Sequence, residues 1–406
     1  MLEGLRVVSF CHYLQGPSAT QYLADMGADV IKIESTNGAF ERHWSGAGTY
    51  IDGVSGFFLG VNRNKRIVAL DLKSEAGKEA ALRIIDSADA VVENYRPGVL
   101  DRLGLGYEAL KARKPDIVFA SATGFGSTGP LSSKPGQDLL AQARSGLIYA
   151  TGAGATGVGA AVCDQHGAAL LALGVLGGLT RKLLSGQGTR VESNLLNAGL
   201  DLHAESLINF FSGGFRNEQF DRDKHLVTWF HEAPYGVYRI AGGAIVLSSN
   251  DPRKLARALR SDVLASMVEL DRYESRDEYV QVIAELLAER TLESLEPDLD
   301  AEQIWWAPVQ DFEGLRNDPQ IKHNNVFREL PVRGGKVVLV NHPIRYDGEV
   351  PPLRHFGVEI GHHTREVLLE VGYRDDQVDA MLEQGCARTD SEQGRDAMAE
   401  YAEHSR

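Results

Sequence analysis

One aspartate in this chain has surroundings that suit chemistry on an acyl group. Asp164 follows a glycine- and alanine-rich approach, residues 157–162, and precedes an apolar run from 168 to 184 that predicts a long helix. If Asp164 is the N-cap of that helix, unsatisfied backbone N–H groups converge on its carboxylate and keep it ionised. The glycines leave room for a ligand, and an exposed, ionised carboxylate is a nucleophile for covalent acyl transfer. The alternative is that Asp164 is only a helix cap.

A local cluster of cations indicates an anionic ligand. Residues 62–73 contain four cations against one acid, and the segment ends where a helix is predicted to start. Helix N-termini and basic side chains are common phosphate ligands. Polar, aromatic and cationic residues also follow the next strand, at 93–98, and Arg102 lies just beyond them. The alternative for the cluster is an ordinary solvated surface.

The overall charge limits the possible partners. The chain has 406 residues and a formal net charge of −14, which argues against nucleic acid or an anionic membrane as the main partner. Cys11, Cys163 and Cys386 lie far apart without CxxC spacing, so neither a disulfide framework nor a metal site is predicted. No leader is evident, and the longest apolar run, 167–179, is short and glycine-rich for a bilayer span. We therefore expect a soluble, cytoplasmic protein.

The elements that must position Asp164 form a doubly wound α/β domain. Residues 5–10 predict a buried strand, the apolar spacing of 20–27 predicts a helix, and 28–33 predict a second strand. Such a strand–helix–strand unit implies a mostly parallel sheet. Further strands alternating with helices are predicted at 67–72, 90–92, 117–121 and 189–196.

A nicotinamide-dependent oxidoreductase is one alternative use of this unit. Glu34 ends the second strand, where a ribose-binding acid would lie. However, the turn after the first strand, 11–17, lacks the GxGxxG pattern. A formal match at 152–157 is not followed directly by a helix, so we disfavour this alternative.

The pattern changes after residue 213. Glycines and charges at 212–224 indicate a linker, and a predicted hairpin at 235–248 followed by helices indicates a smaller α+β domain. The predicted segments are a large α/β domain at 1–213, a small α+β domain at 225–330, a C-terminal segment at 331–386 that returns to the large domain, and a polar tail at 387–406.

Many short motifs in this order resemble the class III CoA-transferases, the CaiB/BaiF type that includes formyl-CoA transferase and carnitine CoA-transferase-like enzymes. The motifs are GPSATQ (16–21), LADMGADVIKIE (23–34), NKR (64–66), LDLK (70–73), ENYRPG (93–98), GFG (124–126), GP (129–130), PG (135–136), GQG (186–188) and HTREVL (363–368). The resemblance extends over nearly the whole chain and implies a Rossmann-like large domain in an interlocked homodimer.

The resemblance also implies a reaction and a set of site residues. In that family an aspartate, which falls on Asp164 here, carries first the acyl group as an anhydride and then CoA as a thioester. A CoA thioester is thus a substrate, a small carboxylic acid is the acceptor, and no cofactor is bound permanently. The positions that match CoA ligands of the family are Leu70, Lys73, Asn94, Tyr95 and Arg102, with Lys134 and Gln137 as further candidates.

Departures from the family pattern separate the related activities. Acyl-CoA racemases of this fold need a histidine where this chain has Gln137, and an amide cannot take up a proton near neutral pH. Racemase chemistry is therefore the main alternative. Ser35 and His362 also depart from the pattern. For a dicarboxylate substrate an extra cation is needed, and Arg42, His43 and His231 are the candidates.

Overall fold

The computed structural model describes residues 1–390, apart from 153, 249, 333–334 and 357–358. Its strands are β1 (Arg6–Phe10), β2 (Asp29–Glu34), β3 (Tyr50–Ile51), β4 (Val54–Ser55), β5 (Lys65–Leu70), β6 (Ala90–Glu93), β7 (Val118–Thr123), β8 (Thr189–Asn194), β9 (Gly236–Ile240), β10 (Gly243–Leu247), β11 (Trp306–Pro308), β12 (Phe327–Val332), β13 (Gly335–Val340) and β14 (Ala387–Arg388).

The α-helices are α1 (Gln15–Asp25), α2 (Gly56–Val61), α3 (Glu75–Asp86), α4 (Val99–Arg102), α5 (Tyr107–Arg113), α6 (Asp138–Arg144), α7 (Leu147–Ala150), α8 (Val162–Ser185), α9 (Leu195–Leu202), α10 (Ala204–Gly213), α11 (Pro252–Ala258), α12 (Asp262–Ser266), α13 (Arg276–Leu287), α14 (Leu292–Ala301), α15 (Phe312–Asn317), α16 (Pro319–His323), α17 (Thr364–Glu370) and α18 (Asp375–Glu383). Short 3-10 turns lie at Phe40–Arg42 and Asn217–Phe220.

The central sheet has seven strands in the order β14-β5-β2-β1-β6-β7-β8. Six of them run parallel, and β14 pairs antiparallel with β5. The predicted α/β class with a mostly parallel sheet is therefore confirmed. The chain winds from β1 out to β2 and β5 and then crosses to β6 on the other side of β1, so the order reverses between β1 and β6. Ligands of open α/β sheets bind at such a reversal, beyond the carboxyl ends of the strands.

The two faces of this sheet carry different helices because side chains alternate along each strand. Val8 and Phe10 of β1 face a core that contains residues of α3, while Val7 faces a core that contains residues of α1 and α8. Helices α1 and α8 therefore pack on the same face of the sheet. This brings the beginning of α8 close to the turn that connects β1 to α1.

Helix α8 is longer than the apolar run that the sequence suggests. Its 24 residues are long and apolar enough to cross a membrane by length and composition alone, contrary to the expectation for residues 167–179. A core helix of a soluble protein passes the same test. Ala168, Leu171 and Val175 of α8 are buried in the core with α1 and the central sheet, and we interpret α8 as a core helix.

The chain divides into two compact units whose bounds differ from the predicted domains. The first unit comprises residues 1–141, 161–199 and the described residues from 322 onward; the second comprises 142–160 and 200–321. The large domain was expected to continue to residue 213, but 142–160 and 200–213 belong to the second unit. That unit is built on the antiparallel sheet β11-β10-β9 and a core that includes Tyr238 and Tyr279.

The C-terminal segment lies within the first unit. The Arg354 guanidinium donates to the carbonyls of Ala24, in the last turn of α1, and Ala28, just before β2. Asn64 donates its backbone N–H to the carbonyl of His355. The boundary of the expected polar tail, 387, falls inside the fold, because Ala387 and Arg388 form β14 on the edge of the sheet. Residues 391–406 of that tail lie outside the described residues.

Candidate active site

Asp164 lies in the first turn of α8 but does not cap it. The helix begins at Val162 with Ala161 as the N-cap, so the expectation that Asp164 is the cap is wrong. The carboxylate of Asp138 takes that place: its Oδ1 accepts the backbone N–H of Cys163 at 2.7 Å and that of Asp164 at 3.1 Å. These bonds satisfy N–H groups that a helix start leaves unpaired. The Asp164 carboxylate is thereby released from capping its own helix.

A different helix supplies the positive end that faces Asp164. The backbone N–H of Gln15, the first residue of α1, faces the Asp164 carboxyl group and lowers its pKa. The N-terminal N–H groups of a helix carry partial positive charge and favour an anion. Packing of α1 against α8 thus supplies the stabilisation that the sequence led us to expect from α8 itself.

The Asp164 carboxyl group is nevertheless not strongly acidic. Burial raises its pKa most and the charge of Asp138 raises it further, while the backbone N–H of Gln15 lowers it; the resulting pKa is about 7. The raised pKa differs from the expectation that a helix end keeps this carboxylate ionised, because burial and the charge of Asp138 both oppose ionisation. A carboxylate that gives up hydration in this way is a stronger nucleophile once it is ionised.

Close backbone contact holds Asp138 near the sheet. A methyl group built on Gly136 would lie 2.3 Å from the Cα of Gly124, which follows β7. No side chain fits between these two segments. The glycine pair therefore fixes the chain two residues before Asp138 against the carboxyl end of β7.

At the reversal of strand order, Asn94 joins the loops that follow β1 and β6. Its Oδ1 accepts the backbone N–H of His12 at 2.7 Å, and its Nδ2 donates to the His12 carbonyl at 2.8 Å. The side chain predicted to bind nucleotide thus holds the turn that leads to Gln15. The His12 ring packs edge-to-face on Tyr95, with ring centroids 4.6 Å apart.

The other predicted CoA positions divide into buried and exposed groups. Leu70 is 1% exposed, and its side chain belongs to the core on which the half-buried Tyr95 packs. Lys73 and Arg102 are exposed cations at the same carboxyl edge of the sheet. The structure thus brings Leu70 and Tyr95 together in one core, where the Leu70 side chain is not accessible to a ligand.

Most of the predicted cation cluster is structural. Arg63 pairs with Asp25 at 2.7 Å, and Arg66 pairs with Asp29 at 2.6 Å. The buried Lys65 ammonium donates to three oxygens, among them the Pro17 carbonyl at 2.8 Å. Of the four cations in the cluster, Lys73, the one predicted to meet the phosphates, is the only exposed one.

The remaining candidates are less specific. Lys134 and Gln137 are exposed side chains of the segment before α6, and the Gln137 carbonyl accepts the backbone N–H of Ala141. The residue at position 137 is an amide and cannot accept a proton, so it does not replace the histidine of the racemases. Arg42 is buried, bonded to Glu34 at 2.7 Å and stacked on Phe58, so it is not available to a dicarboxylate.

His43 is exposed on the first unit, whereas His231 belongs to the second unit and stacks on Tyr235. Ser35 donates to the Gly38 carbonyl in the turn after β2, and His362 lies 3.7 Å from Glu359. No group of three or more metal-ligating side chains occurs within the described ranges.

Two residues of the site escape sequence reasoning. Gln15 precedes the Gly16–Pro17 turn, and nothing in its spacing links it to residue 164. Asp138 begins a helix, a recognisable capping signal, but the helix that it caps starts 24 residues later in the chain. Only packing reveals either partnership.

Comparisons with known proteins identify the same kind of enzyme over most of the chain. Residues 2–364 match the model of CoA-transferase family III. Succinyl-CoA:mesaconate CoA-transferase of Haloarcula hispanica is 30% identical over 91% of this chain and 96% of its own. Succinyl-CoA:glutarate CoA-transferase of Homo sapiens is 28% identical over 93% of this chain and 87% of its own. Acetyl-CoA:oxalate CoA-transferase of Acetobacter aceti is 28% identical over 86% of this chain and 90% of its own.

A solved structure shares the fold. The crystal structure of a CaiB/BaiF family protein from Brucella suis superposes with a TM-score of 0.77 at 26% identity, covering 91% of this chain and 99% of that one. The likeness therefore includes both of the compact units described above.

Proposed function

Because this chain belongs to CoA-transferase family III, we propose that it moves coenzyme A from an acyl-CoA thioester to a free carboxylic acid through covalent intermediates on Asp164. The observation that carries the proposal is the position of the Asp164 carboxylate. It is half-buried, faces the backbone N–H at the start of α1 and is relieved of capping α8 by Asp138.

The proposed reaction conserves charge at each step. A carboxylate oxygen of Asp164 attacks the thioester carbonyl, the C–S bond breaks, and CoA leaves as a thiolate from an acyl–aspartyl anhydride. The thiolate then attacks the Asp164 carbonyl carbon, the anhydride C–O bond breaks, and the first acid leaves as a carboxylate. An aspartyl-CoA thioester remains.

The second half reverses these events with a new acid. The incoming carboxylate attacks the aspartyl thioester and expels the CoA thiolate. The thiolate attacks the acyl carbonyl of the new anhydride, and the bonding electrons return to the Asp164 carboxylate. No proton is taken up or released, and every nucleophile is a carboxylate or the CoA thiolate, which suits a site built on a carboxylate.

The positive end of α1 supports the second step in particular. When the thiolate attacks the aspartyl carbonyl, negative charge develops on an Asp164 oxygen. The backbone N–H of Gln15 faces that carboxyl group in the free protein. A donor fixed before reaction stabilises the developing charge without reorganisation.

We assign the nucleotide end of CoA to the carboxyl edge of the sheet. Lys73 and Arg102 are exposed cations there and suit the phosphates, while the ring of Tyr95 suits the adenine. Asn94 contributes by holding the His12 loop in place. Lys134 and Gln137 are secondary candidates for the same substrate.

The curated relatives are named for succinate, glutarate, mesaconate and oxalate as acids. We take small carboxylic acids, dicarboxylates included, as the first acceptors to test. Arg42 is excluded as the cation that would bind the second carboxylate of such an acid, because it forms a buried ion pair with Glu34.

A homodimer in the cytoplasm is the proposed working form. Leu173, Leu183 and Leu184 of α8 are 65%, 73% and 84% exposed, and an apolar surface of this kind is commonly covered by another subunit. Light scattering coupled to size exclusion gives the mass directly, and a monomer at micromolar concentration contradicts the proposal. Cell fractionation tests the compartment.

Trapping the intermediates tests the reaction. The protein is incubated with succinyl-CoA, acetyl-CoA, glutaryl-CoA or oxalyl-CoA, reduced with borohydride or cleaved with hydroxylamine, and mapped by peptide mass spectrometry. We expect modification at Asp164 with at least one thioester, and none in Asp164→Asn. Asp262→Asn, which changes an exposed aspartate in the first turn of α12, serves as the matched control.

Transfer in the Asp164→Asn variant at the wild-type rate contradicts the proposal. Solvent deuterium at the acyl α-carbon without any acceptor acid identifies racemase chemistry instead. Binding of a nicotinamide nucleotide with no response to CoA in a thermal shift identifies an oxidoreductase.

A further inference from the structure

The side-chain amide of Gln15 is buried beside Asp164 without a hydrogen-bond partner. Gln15 is 4% exposed, and its Nε2 makes no hydrogen bond. A buried donor left unpaired costs free energy, and nearly all such groups in native proteins are satisfied. Exceptions concentrate where a ligand completes the pairing.

Two contacts locate this amide relative to Asp164. The Gln15 backbone N–H faces the Asp164 carboxyl group and lowers its pKa. A methyl group built on Gly167 would lie 2.6 Å from Gln15 Nε2. Gly167 follows Asp164 by three residues, and positions so spaced are neighbours on one helix face. The amide therefore borders the space next to the Asp164 side chain.

Gln21 shows what a structural glutamine on the same helix looks like. It is 5% exposed, its Nε2 donates to the Gly60 carbonyl at 3.1 Å, and its Oε1 accepts the Arg63 N–H at 3.2 Å. Both ends of that amide are used inside the protein. Burial on α1 does not by itself prevent a glutamine from finding partners, so the unpaired Gln15 Nε2 calls for a ligand.

We propose that Gln15 Nε2 donates a hydrogen bond to the carbonyl oxygen of the acyl group that is bonded to Asp164, which makes Gln15 a catalytic residue. This inference rests on the proposed function. Gln15 then serves both halves of the anhydride: its backbone N–H holds the aspartyl oxygen and its side chain holds the acyl oxygen.

The acyl oxygen gains negative charge twice in the cycle. It does so when Asp164 attacks the thioester, and again when the CoA thiolate attacks the anhydride. In the second event a C–S bond forms, the C–O bond to Asp164 breaks, and the electron pair returns to the Asp164 carboxylate. A donor aimed at that oxygen binds the transition state more strongly than the ground state.

The test compares Gln15→Met with Gln21→Met in the full chain. The assay follows the exchange of labelled succinate into succinyl-CoA. If another thioester reacts faster in the trapping panel, the assay follows the exchange of its own labelled acid into that thioester. Loss of one oxyanion donor lowers the rate by about 100-fold. We expect that loss in kcat for Gln15→Met, with an unchanged KM for the thioester and an unchanged or raised Tm, because no existing hydrogen bond is removed. Gln21→Met should lower Tm and leave kcat of the folded protein near wild type.

Gln15→Glu separates shape from donation. This variant keeps the length of the side chain, removes the donor and adds a negative charge beside Asp164, so we expect it to be at least as slow as Gln15→Met. Wild-type kcat in Gln15→Met or in Gln15→Glu overturns the inference, as does a lowered Tm that accounts for the lost activity.

Failure of the two proposals can be told apart. If wild-type protein gives no Asp164 adduct with any thioester of the panel, the proposed function fails and takes this inference with it. If wild-type protein gives the adduct and Gln15→Met forms and resolves it at the same rate, only the role of Gln15 is overturned.

Discussion

Asp138 and Asp164 are coupled in two opposite ways. Asp138 Oδ1 accepts the backbone N–H of Asp164 at 3.1 Å and so fixes the first turn of α8. Its charge also raises the pKa of the Asp164 carboxyl, which burial has already raised most, to about 7. One carboxylate thus positions the proposed nucleophile and weakens its acidity.

The Asp138→Asn variant separates these two effects. Asparagine keeps an oxygen that accepts the N–H groups of Cys163 and Asp164, but it removes the negative charge. We expect the pKa of Asp164 to fall from about 7 toward its ordinary value. Because the ionised form is the nucleophile, the rise of kcat/KM with pH should move to lower pH. Asp138→Ala also loses the cap, which costs about 1 kcal/mol of stability. An unmoved pH profile in Asp138→Asn contradicts this coupling.

Replacing the proposed nucleophile should stabilise the free protein. The pKa of Asp164 is raised from 3.8 to about 7 on folding, so the folded state holds a proton that the unfolded state releases between those values. The resulting penalty grows as pH rises from about 4 to about 7 and is constant above that range. Asp164→Asn removes a penalty of about 1 to 4 kcal/mol at pH 8.

Thermal unfolding at pH 5 and pH 8 measures this effect. The gain in Tm for Asp164→Asn over wild type should be larger at pH 8. Asp262→Asn, which changes an exposed aspartate, is the control. Its Tm should differ from that of wild type by the same amount at both pH values. An equal gain at both pH values contradicts a raised pKa for Asp164.

Removing the Asn94 side chain should loosen the turn that carries Gln15. Asn94→Ala breaks two hydrogen bonds to the His12 backbone, at 2.7 and 2.8 Å. Each is worth about 1 kcal/mol. We therefore expect a lower Tm together with a lower kcat, since the Gln15 N–H depends on this turn. Asn94→Asp keeps the acceptor and loses the donor, and it should fall between wild type and Asn94→Ala. Full kcat in Asn94→Ala contradicts the positioning role.

Exposed cations at the sheet edge should act on CoA binding alone. Lys73→Ala and Arg102→Ala each remove a charge that we assign to the phosphates, so KM for the thioester should rise by about tenfold with kcat unchanged. The effect should shrink at high salt. Lys111→Ala, which removes an exposed lysine of α5, is the control. Equal KM values for all three variants contradict the assignment.

Local patterns determined the architecture of the first unit. The apolar run of β1, the stripe on α1 and the alternation of strands with helices were enough to predict a mostly parallel α/β sheet. These signals are local because burial on one face imposes a fixed period on each element. The family motifs depend on the same local segments, and the match over residues 2–364 confirms the resemblance that they carry.

The sequence was less informative where charges are concerned. The run at residues 62–73 had the composition of a phosphate site, yet Asp25 and Asp29 neutralise Arg63 and Arg66 inside the protein. Nothing within the run distinguishes a cation that faces solvent from one that pairs with an acid about forty residues away. Only the packing of α1 and β2 against β5 makes that distinction.

Asp164 illustrates the same limit at the centre of the site. Its sequence context identified a carboxylate at the start of a long apolar helix, and this much was correct. Which helix stabilises the charge, which residue caps α8 and how acidic the group is depend on Gln15 and Asp138, 149 and 26 residues away in the chain. Hydrogen bonds and burial act through space over a few ångströms, so residues distant in sequence set them, and the tertiary structure alone brings those residues together.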